Sequence, residues 1–221
     1  MCQLVWGCTI IHMEYGPQVD HPETYWKKGY LTEDRWANYW HQIAAMRAAS
    51  PKSLLEIGKG NGIVGGVLRG LGIEVTTLDI DARLHPDIVG SVTKVPCIDA
   101  SYDLVLAAEI LEHVRYEDFL IALREIHRVV RRGAYITLPA PGYTFSLRMK
   151  VPSLRRSRFT RKIPFFWKDA PSVSEHYWEV GLKGHPLKRI LRDIESCGFV
   201  ITERGLFDDD PAHYHFMLRK S

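Results

Sequence analysis

The sequence is poor in the features that would direct it to a membrane, a secretory route or a disulfide scaffold. No stretch of its 221 residues approaches the roughly 18 to 20 consecutive apolar residues of a bilayer span. The apolar patch from Leu4 to Ile11 has no cationic region before it and no small-residue cleavage site after it, so a signal peptide is not expected and the cytoplasm is the default compartment. The four cysteines, Cys2, Cys8, Cys97 and Cys197, form neither a C-x-x-C pair nor a compact framework. They are expected as reduced thiols, and no metal is expected.

A further absence is local. Between Arg148 and Lys168 there is no Asp or Glu, while Arg148, Lys150, Arg155, Arg156, Arg158, Arg161, Lys162 and Lys168 supply eight positive charges. The whole chain carries only +3, so the remainder is acidic and the cationic character is confined to one segment suited to meeting anions. The 46% hydrophobic and 25% charged composition is that of a globular domain with a sizeable core.

The chain is organised around Leu54-Leu55-Glu56-Ile57-Gly58-Lys59-Gly60-Asn61-Gly62. An apolar run suited to a buried parallel strand ends in an acid, passes through three glycines at alternate positions and enters the helical spacing of Ile63, Val64, Val67, Leu68 and Leu71. Glycine accepts positive φ and leaves the main chain bare, so a ligand can lie against the turn. A second strand over Ile73–Leu78 then ends in Asp79, whose carboxylate can accept from both hydroxyls of a ribose.

Three motifs together resemble the class I, Rossmann-like S-adenosylmethionine-dependent methyltransferases. The E-x-G-x-G-x-G turn at Glu56 to Gly62 is similar to the family's first motif. Val95-Pro96-Cys97-Ile98-Asp99-Ala100-Ser101-Tyr102-Asp103-Leu104-Val105 resembles its LPF-x-D-x-SFD-x-V segment, and Glu109-Ile110-Leu111-Glu112-His113-Val114 its E-x-LEHV segment. The resemblance spans roughly residues 53 to 139 and implies an α/β fold: a seven-stranded, mostly parallel sheet with a terminal antiparallel strand and helices on both faces, in three layers. It implies S-adenosylmethionine as cofactor and S-adenosylhomocysteine as product. Glu56, Gly58, Gly60, Gly62, Asp79, Ile80, Ser91, Val92 and Glu109 are the expected cofactor contacts. Ser91 stands where the family usually has an Asp that accepts from the adenine amino group, and a hydroxyl accepts that bond less strongly.

Around this core, residues 1–31 read as an N-terminal arm and 32–221 as the domain. Thr32 can cap a helix from Glu33 to Ala49 with an apolar stripe of Trp36, Tyr39, Trp40, Ile43 and Met46. That stripe suits core packing, while Tyr25, Trp26, Tyr30 or Trp36 could instead cover a ligand. A helix is expected from Tyr116 to Arg132, stopped at Gly133. Residues 140–184, basic and aromatic, break the alternation and have the length of a lid or a substrate-recognition insertion.

His113, His176 and Glu179 are the candidate proton acceptors. For His113 a loop-shaping role competes with that reading, and around His176 the aromatic pair Tyr177-Trp178 could simply anchor the insertion. Three functions stay open. The first is methyl transfer to O or N of a small molecule or glycan precursor, with an acceptor that could be anionic. The second is a nucleic-acid methyltransferase using the basic segment, whose binding would weaken steeply with salt. The third is a non-catalytic binding protein, which titration with S-adenosylmethionine would address. The absence of an N-P-P-Y-like tetrad and of an RNA-binding module favours the small acceptor.

Overall fold

The computed structural model describes residues 15–149 and 157–221. The Leu4–Ile11 patch, Cys2, Cys8, Lys150, Arg155 and Arg156 lie outside the described residues.

After a 3-10 turn at Pro22–Trp26, the elements are α1 (Glu33–Ala49), β1 (Ser53–Ile57), α2 (Ile63–Gly70), β2 (Glu74–Asp79), β3 (Ile88–Val89), β4 (Tyr102–Ala108), α3 (Tyr116–Val129) and β5 (Val130–Pro139). They are followed by β6 (Gly142–Met149), β7 (Ser157–Pro164), α4 (Leu187–Ser196), β8 (Phe199–Phe207) and β9 (Asp210–Lys220). Seven strands form one sheet in the order β3-β2-β1-β4-β5-β9-β8. β3, β2, β1, β4 and β5 pair in parallel, and β9 runs antiparallel to both of its neighbours, β5 and β8. The order reverses between β1 and β4, and such a switch point opens a crevice at the carboxyl ends of the strands.

Both faces of the sheet are buried, which explains the near-continuous apolar runs. Leu54, Leu104, Leu106 and Tyr135 point to one side and pack with Tyr39 and Met46 of α1 and Val64 and Leu68 of α2. Leu55, Ile57, Val105, Ala107, Ala134 and Ile136 point to the other and pack with Phe119, Leu123 and Ile126 of α3 and Ile190 and Ile194 of α4. Each fully buried Leu or Ile contributes about 1.5–3 kcal/mol against leaving it exposed. Cys97 and Cys197 are both buried, and Cys97 Sγ lies 3.8 Å from the Tyr102 hydroxyl.

Several sequence expectations are corrected here. α1 starts where expected, with Thr32 Oγ1 accepting from Arg35 N at 3.3 Å, but Trp36 and Trp40 are 50% and 57% exposed. The buried face of α1 is instead Asn38, Tyr39, Gln42 and Met46, because a buried carboxylate on β9 needs the Asn38 amide. On α2, Val67 and Leu71 are exposed while Val64, Gly65 and Leu68 are buried. α3 ends at Val129 and the chain enters β5 at once, so Arg131, Arg132 and Gly133 belong to a strand. Gly133 is required by close approach: a Cβ there would overlap the Leu218 carbonyl of β9. Within residues 140–184, β6 and β7 form a separate two-stranded antiparallel sheet. Among the described residues no helix is long and apolar enough to cross a membrane.

Candidate active site

The turn after β1 opens at the switch point of the sheet. Gly58, Gly60 and Gly62 have φ of 83°, 51° and 72°, values that L side chains adopt only with strain. At Gly58 a Cβ would also overlap the Ile110 side chain. At the tip of the adjacent strand, Asp79 is 8% exposed and bridges the two loops: Oδ2 accepts from Gly60 N at 3.3 Å and Oδ1 from Asp81 N at 2.9 Å. Burial raises its carboxyl above the usual range despite these bonds. Glu56 on β1 faces the bare backbone of Gly65, where a Cβ would overlap the carboxylate. Burial pushes it up to about 7, with Arg69 and the Gly65 amide opposing.

Two connected spaces meet at this turn. A recess of about 40 Å³ is lined by Gly58, Asp79, Ile80, Ser91, Val92 and Ile110, among others. The Ser91 hydroxyl is paired with Thr93 Oγ1 at 2.8 Å. The larger cavity, about 660 Å³, runs from Glu56, Gly58, Gly60 and Asp79 to Glu109, Glu112, His113, His176 and His213. Its cover comes from the segment before α1: Tyr25 and Tyr30 line it, their rings edge to face at 5.0 Å. Burial, then Asp79 and Asp81, push the Tyr25 phenol up to about 12. Trp26 and Trp36, the other two aromatic candidates for a cover, are 60% and 50% exposed and are not among the lining residues. Lys162 of β7 also lines the cavity, and burial pushes its ammonium down to about 8.

At the end of β4, Glu109 takes φ 56°, unusual for a residue with a side chain. It is held on both oxygens: Oε1 accepts from Thr137 Oγ1 at 2.6 Å and Oε2 meets His213 Nε2 at 3.0 Å. His213 Nδ1 meets Asp210 Oδ1 at 2.5 Å. The other Asp210 oxygen accepts from Asn38 Nδ2 and meets His215 Nε2, each at 2.8 Å. Burial works against charge on His213, but Glu109 and Asp210 prevail and push it up to about 10. Burial would raise Glu109, yet His213 leaves it below the usual carboxylate range. The sequence reading missed His213, Asp210 and Thr137. His213 reaches the cavity only through the antiparallel register that sets it opposite Pro139, a pairing no motif encodes.

The far wall combines the 3-10 turn Leu111–His113 with the segment 172–179. Trp178 is 1% exposed, donates from Nε1 to Val114 O at 3.1 Å and packs on Phe119, which anchors the segment. His176 Nδ1 meets Glu179 Oε1 at 2.6 Å, and Ser172 binds the same carboxylate through N and Oγ. Glu179 is wholly buried behind His176 rather than lining the cavity. Burial would raise it, and the His176 and Ser172 bonds leave it below its ordinary range. The His113 and His176 rings meet edge to face at 4.8 Å, and His113 Nδ1 lies 3.0 Å from the Glu175 carbonyl. Burial, then His176, push His113 down to about 4. Glu112 is fully buried with neither carboxylate oxygen hydrogen-bonded among the described residues. Burial and the charge of Glu109 hold it well above the usual range.

Comparison with known proteins agrees with this architecture. Residues 55–138 match a family model described as a methyltransferase domain. No curated protein sequence matches the chain. Among solved structures, the 1,6-didemethyltoxoflavin-N1-methyltransferase of Burkholderia thailandensis is 15% identical, with a TM-score of 0.54 over 92% of this chain and 91% of its own. The magnesium protoporphyrin IX methyltransferase of Synechocystis PCC 6803 is 12% identical, with a TM-score of 0.59 over 85% and 84%. Both contain bound S-adenosylhomocysteine. A TehB-like S-adenosylmethionine-dependent methyltransferase from Corynebacterium glutamicum is 17% identical, with a TM-score of 0.56 over 91% and 98%. At these identities the structures share the fold, and the sequence match lies in the motif-bearing half of the sheet. Residues 55–138 carry the pattern of a methyltransferase domain, and the chain has the class I, Rossmann-like methyltransferase fold. The matched domain and the shared fold are those of S-adenosylmethionine-dependent methyltransferases.

Proposed function

We propose that this enzyme methylates an oxygen or nitrogen atom of a small molecule, with glycan precursors within that class and an anionic group on the acceptor. The observation that carries this reading is the 660 Å³ cavity itself. It is covered by Tyr25 and Tyr30, has the glycine turn and Asp79 at one end and His113, His176 and His213 at the other, and has Lys162 and Arg35 in its lining. A chamber of this kind suits a compact ligand held on several sides. The names of the Burkholderia and Synechocystis proteins also describe small-molecule acceptors.

The fit to the cofactor rests on bare backbone where a Cβ would overlap and on a buried carboxylate beside it. Asp79 would take the ribose hydroxyls, and Gly58, Gly60 and Gly62 would admit the amino-acid and sugar portions. Ile80, Ser91 and Val92 would border the adenine. Glu56 would hold the turn, and Glu109, fixed by Thr137 and His213, would face the amino-acid end. When bound, the cofactor supplies an electrophilic methyl group on a sulfonium sulfur. The protein then contributes mainly orientation and exclusion of water, for which about 7–11 kcal/mol is available in principle. His176 Nε2 would accept the proton that an acceptor hydroxyl or amine releases on methylation, with Glu179 orienting the ring through Nδ1. His113 would shape the same wall. Residues 1–31 would act as the cover and 140–184 as the acceptor-recognition insertion.

Nucleic acid is the second reading, favoured by Arg161, Lys162 and Lys168 beside the exposed rings of Tyr143, Phe145, Phe166 and Trp167. The test is transfer of labelled methyl from S-adenosylmethionine into a fractionated small-molecule pool and into total RNA, each at low and high salt. Salt-insensitive labelling of a small-molecule fraction supports the proposal. Labelling confined to RNA and abolished by salt overturns it.

A further inference from the structure

We propose that Glu112, His113 and His176 form a binding site for one first-row divalent cation in the wall of the acceptor chamber. One ligand atom from each of the three residues lies within 4.8 Å of the others, with Glu112 Oε1 at 4.0 Å from His113 Nε2 and 3.9 Å from His176 Nε2. The cluster thus offers two imidazole nitrogens and one carboxylate on one side of a cavity, and the proposal rests on the reading of that cavity as the acceptor chamber.

Three independent features point to a ligand there. Glu112 is fully buried with no hydrogen bond to either carboxylate oxygen among the described residues, a costly arrangement unless something positive meets it. Each histidine is fixed through its other nitrogen: His176 Nδ1 by Glu179 at 2.6 Å, and His113 Nδ1 by the Glu175 carbonyl at 3.0 Å. Such contacts set the tautomer that leaves Nε2 as the electron-pair donor and are the usual outer support of metal-binding imidazoles. Glu179 is in turn held by Ser172, so the support is two layers deep. Glu109, three residues before Glu112, is already committed to Thr137 and His213, which leaves a two-histidine, one-carboxylate set with open positions facing the chamber.

Metal–ligand bonds of about 2.1 Å place neighbouring donors roughly 3 to 3.5 Å apart, so the three side chains close on a cation by small rotations. Two neutral imidazoles select a first-row ion over Mg²⁺ or Ca²⁺. The open positions suit an acceptor that offers an anionic or chelating oxygen, which would narrow the substrate class beyond the charge of Lys162. In that state His176 Nε2 would be a ligand and would not take the proton; an acceptor oxygen held by the cation would be acidified and release its proton to solvent water before transfer.

The full chain, stripped with a chelator, is titrated with Co²⁺ and followed by visible absorption, with Zn²⁺ competition, a Mg²⁺ control and no S-adenosylmethionine present. Binding of S-adenosylmethionine is measured separately on the same samples. The expected result is uptake of about one equivalent, with a Co²⁺ spectrum that Zn²⁺ but not Mg²⁺ abolishes. Affinity should fall by about 10- to 100-fold in Glu179→Gln, which touches only the support. Binding should be lost in Glu112→Gln and His176→Asn and retained in His21→Ala, a surface histidine control. If Glu112→Gln does not fold, Glu179→Gln and His176→Asn decide the matter. No Co²⁺ or Zn²⁺ uptake by the unaltered chain, or uptake unchanged in His176→Asn, overturns the site. S-adenosylmethionine affinity tests the methyltransferase reading by itself, so either can fail alone.

Discussion

The two ends of the cavity are built in different ways. The glycine-turn end, proposed to hold the cofactor, comes from neighbouring pieces of one supersecondary unit: the turn after β1, the tip of β2 and the recess beside β3. Its key groups are backbone atoms and one carboxylate, joined by the Gly60–Asp79 and Asp81–Asp79 hydrogen bonds. The opposite end, proposed to receive the acceptor, is assembled from residues 109–113, 172–179 and 210–213, and its groups are titratable side chains that hold one another in place. A site made from local backbone tolerates little change of shape. A site made from distant side chains can change ligand chemistry while the sheet beneath it stays fixed.

Four tests sharpen or break that contrast, in decreasing order of expected effect. Gly58→Ala combines a positive φ with overlap against Ile110 and should cost about 3 kcal/mol of stability in a denaturant titration, together with cofactor affinity. A stable Gly58→Ala protein with unchanged affinity would mean that the turn is not shape-limited.

The acceptor end should show itself in pH dependence. His213 is held protonated up to about 10, above its unfolded value of about 6.5. Its contribution is therefore complete below pH ~6.5 and is lost as pH rises through about 10. Glu109 and Asp210, both depressed, contribute in the opposite sense and lose their share only on acidification. Chemical denaturation of the native protein and His213→Gln at a series of pH values should show the alkaline decline in the former alone. An equal decline in both would remove His213 from the network.

Glu179→Gln keeps the shape but weakens the orientation of His176. It should lower kcat about tenfold with little change in S-adenosylmethionine affinity, and a reversed split between the two readouts would break the division of labour. Trp36→Ala should be nearly silent, within about 0.5 kcal/mol, because that ring is half exposed. A large loss in thermal unfolding would restore it to the core.

The same contrast explains what could be read from sequence. Strand, glycine turn and acidic tip obey local rules, so β1, α2, β2 and Asp79 could be located from residue order alone, and the Thr32 cap fixed the start of α1. Trp36 and Trp40 misled because helical spacing identifies a stripe without saying which stripe faces inward; here Asn38 and Gln42 take the buried side to serve Asp210 and the β9 strand. Gly133 was read as a helix stop because nothing local distinguishes that from a strand glycine pressed against a neighbouring carbonyl. The β6–β7 pair escaped because Tyr143, Phe145 and Ile163 stay exposed, so no buried period marks it. Glu112, His113 and His176 each stood out or lay beside a motif, but their convergence depends on how residues 172–179 return over the strand ends.

Calorimetric titration of S-adenosylmethionine into the native protein, Asp79→Ala and His176→Asn tests the division most directly. Loss of two hydrogen bonds to a charged group should weaken binding by about 100-fold or more in Asp79→Ala, while His176→Asn should bind as the native protein does. Undiminished affinity in Asp79→Ala, or a comparable loss in His176→Asn, would contradict the separation of the two ends.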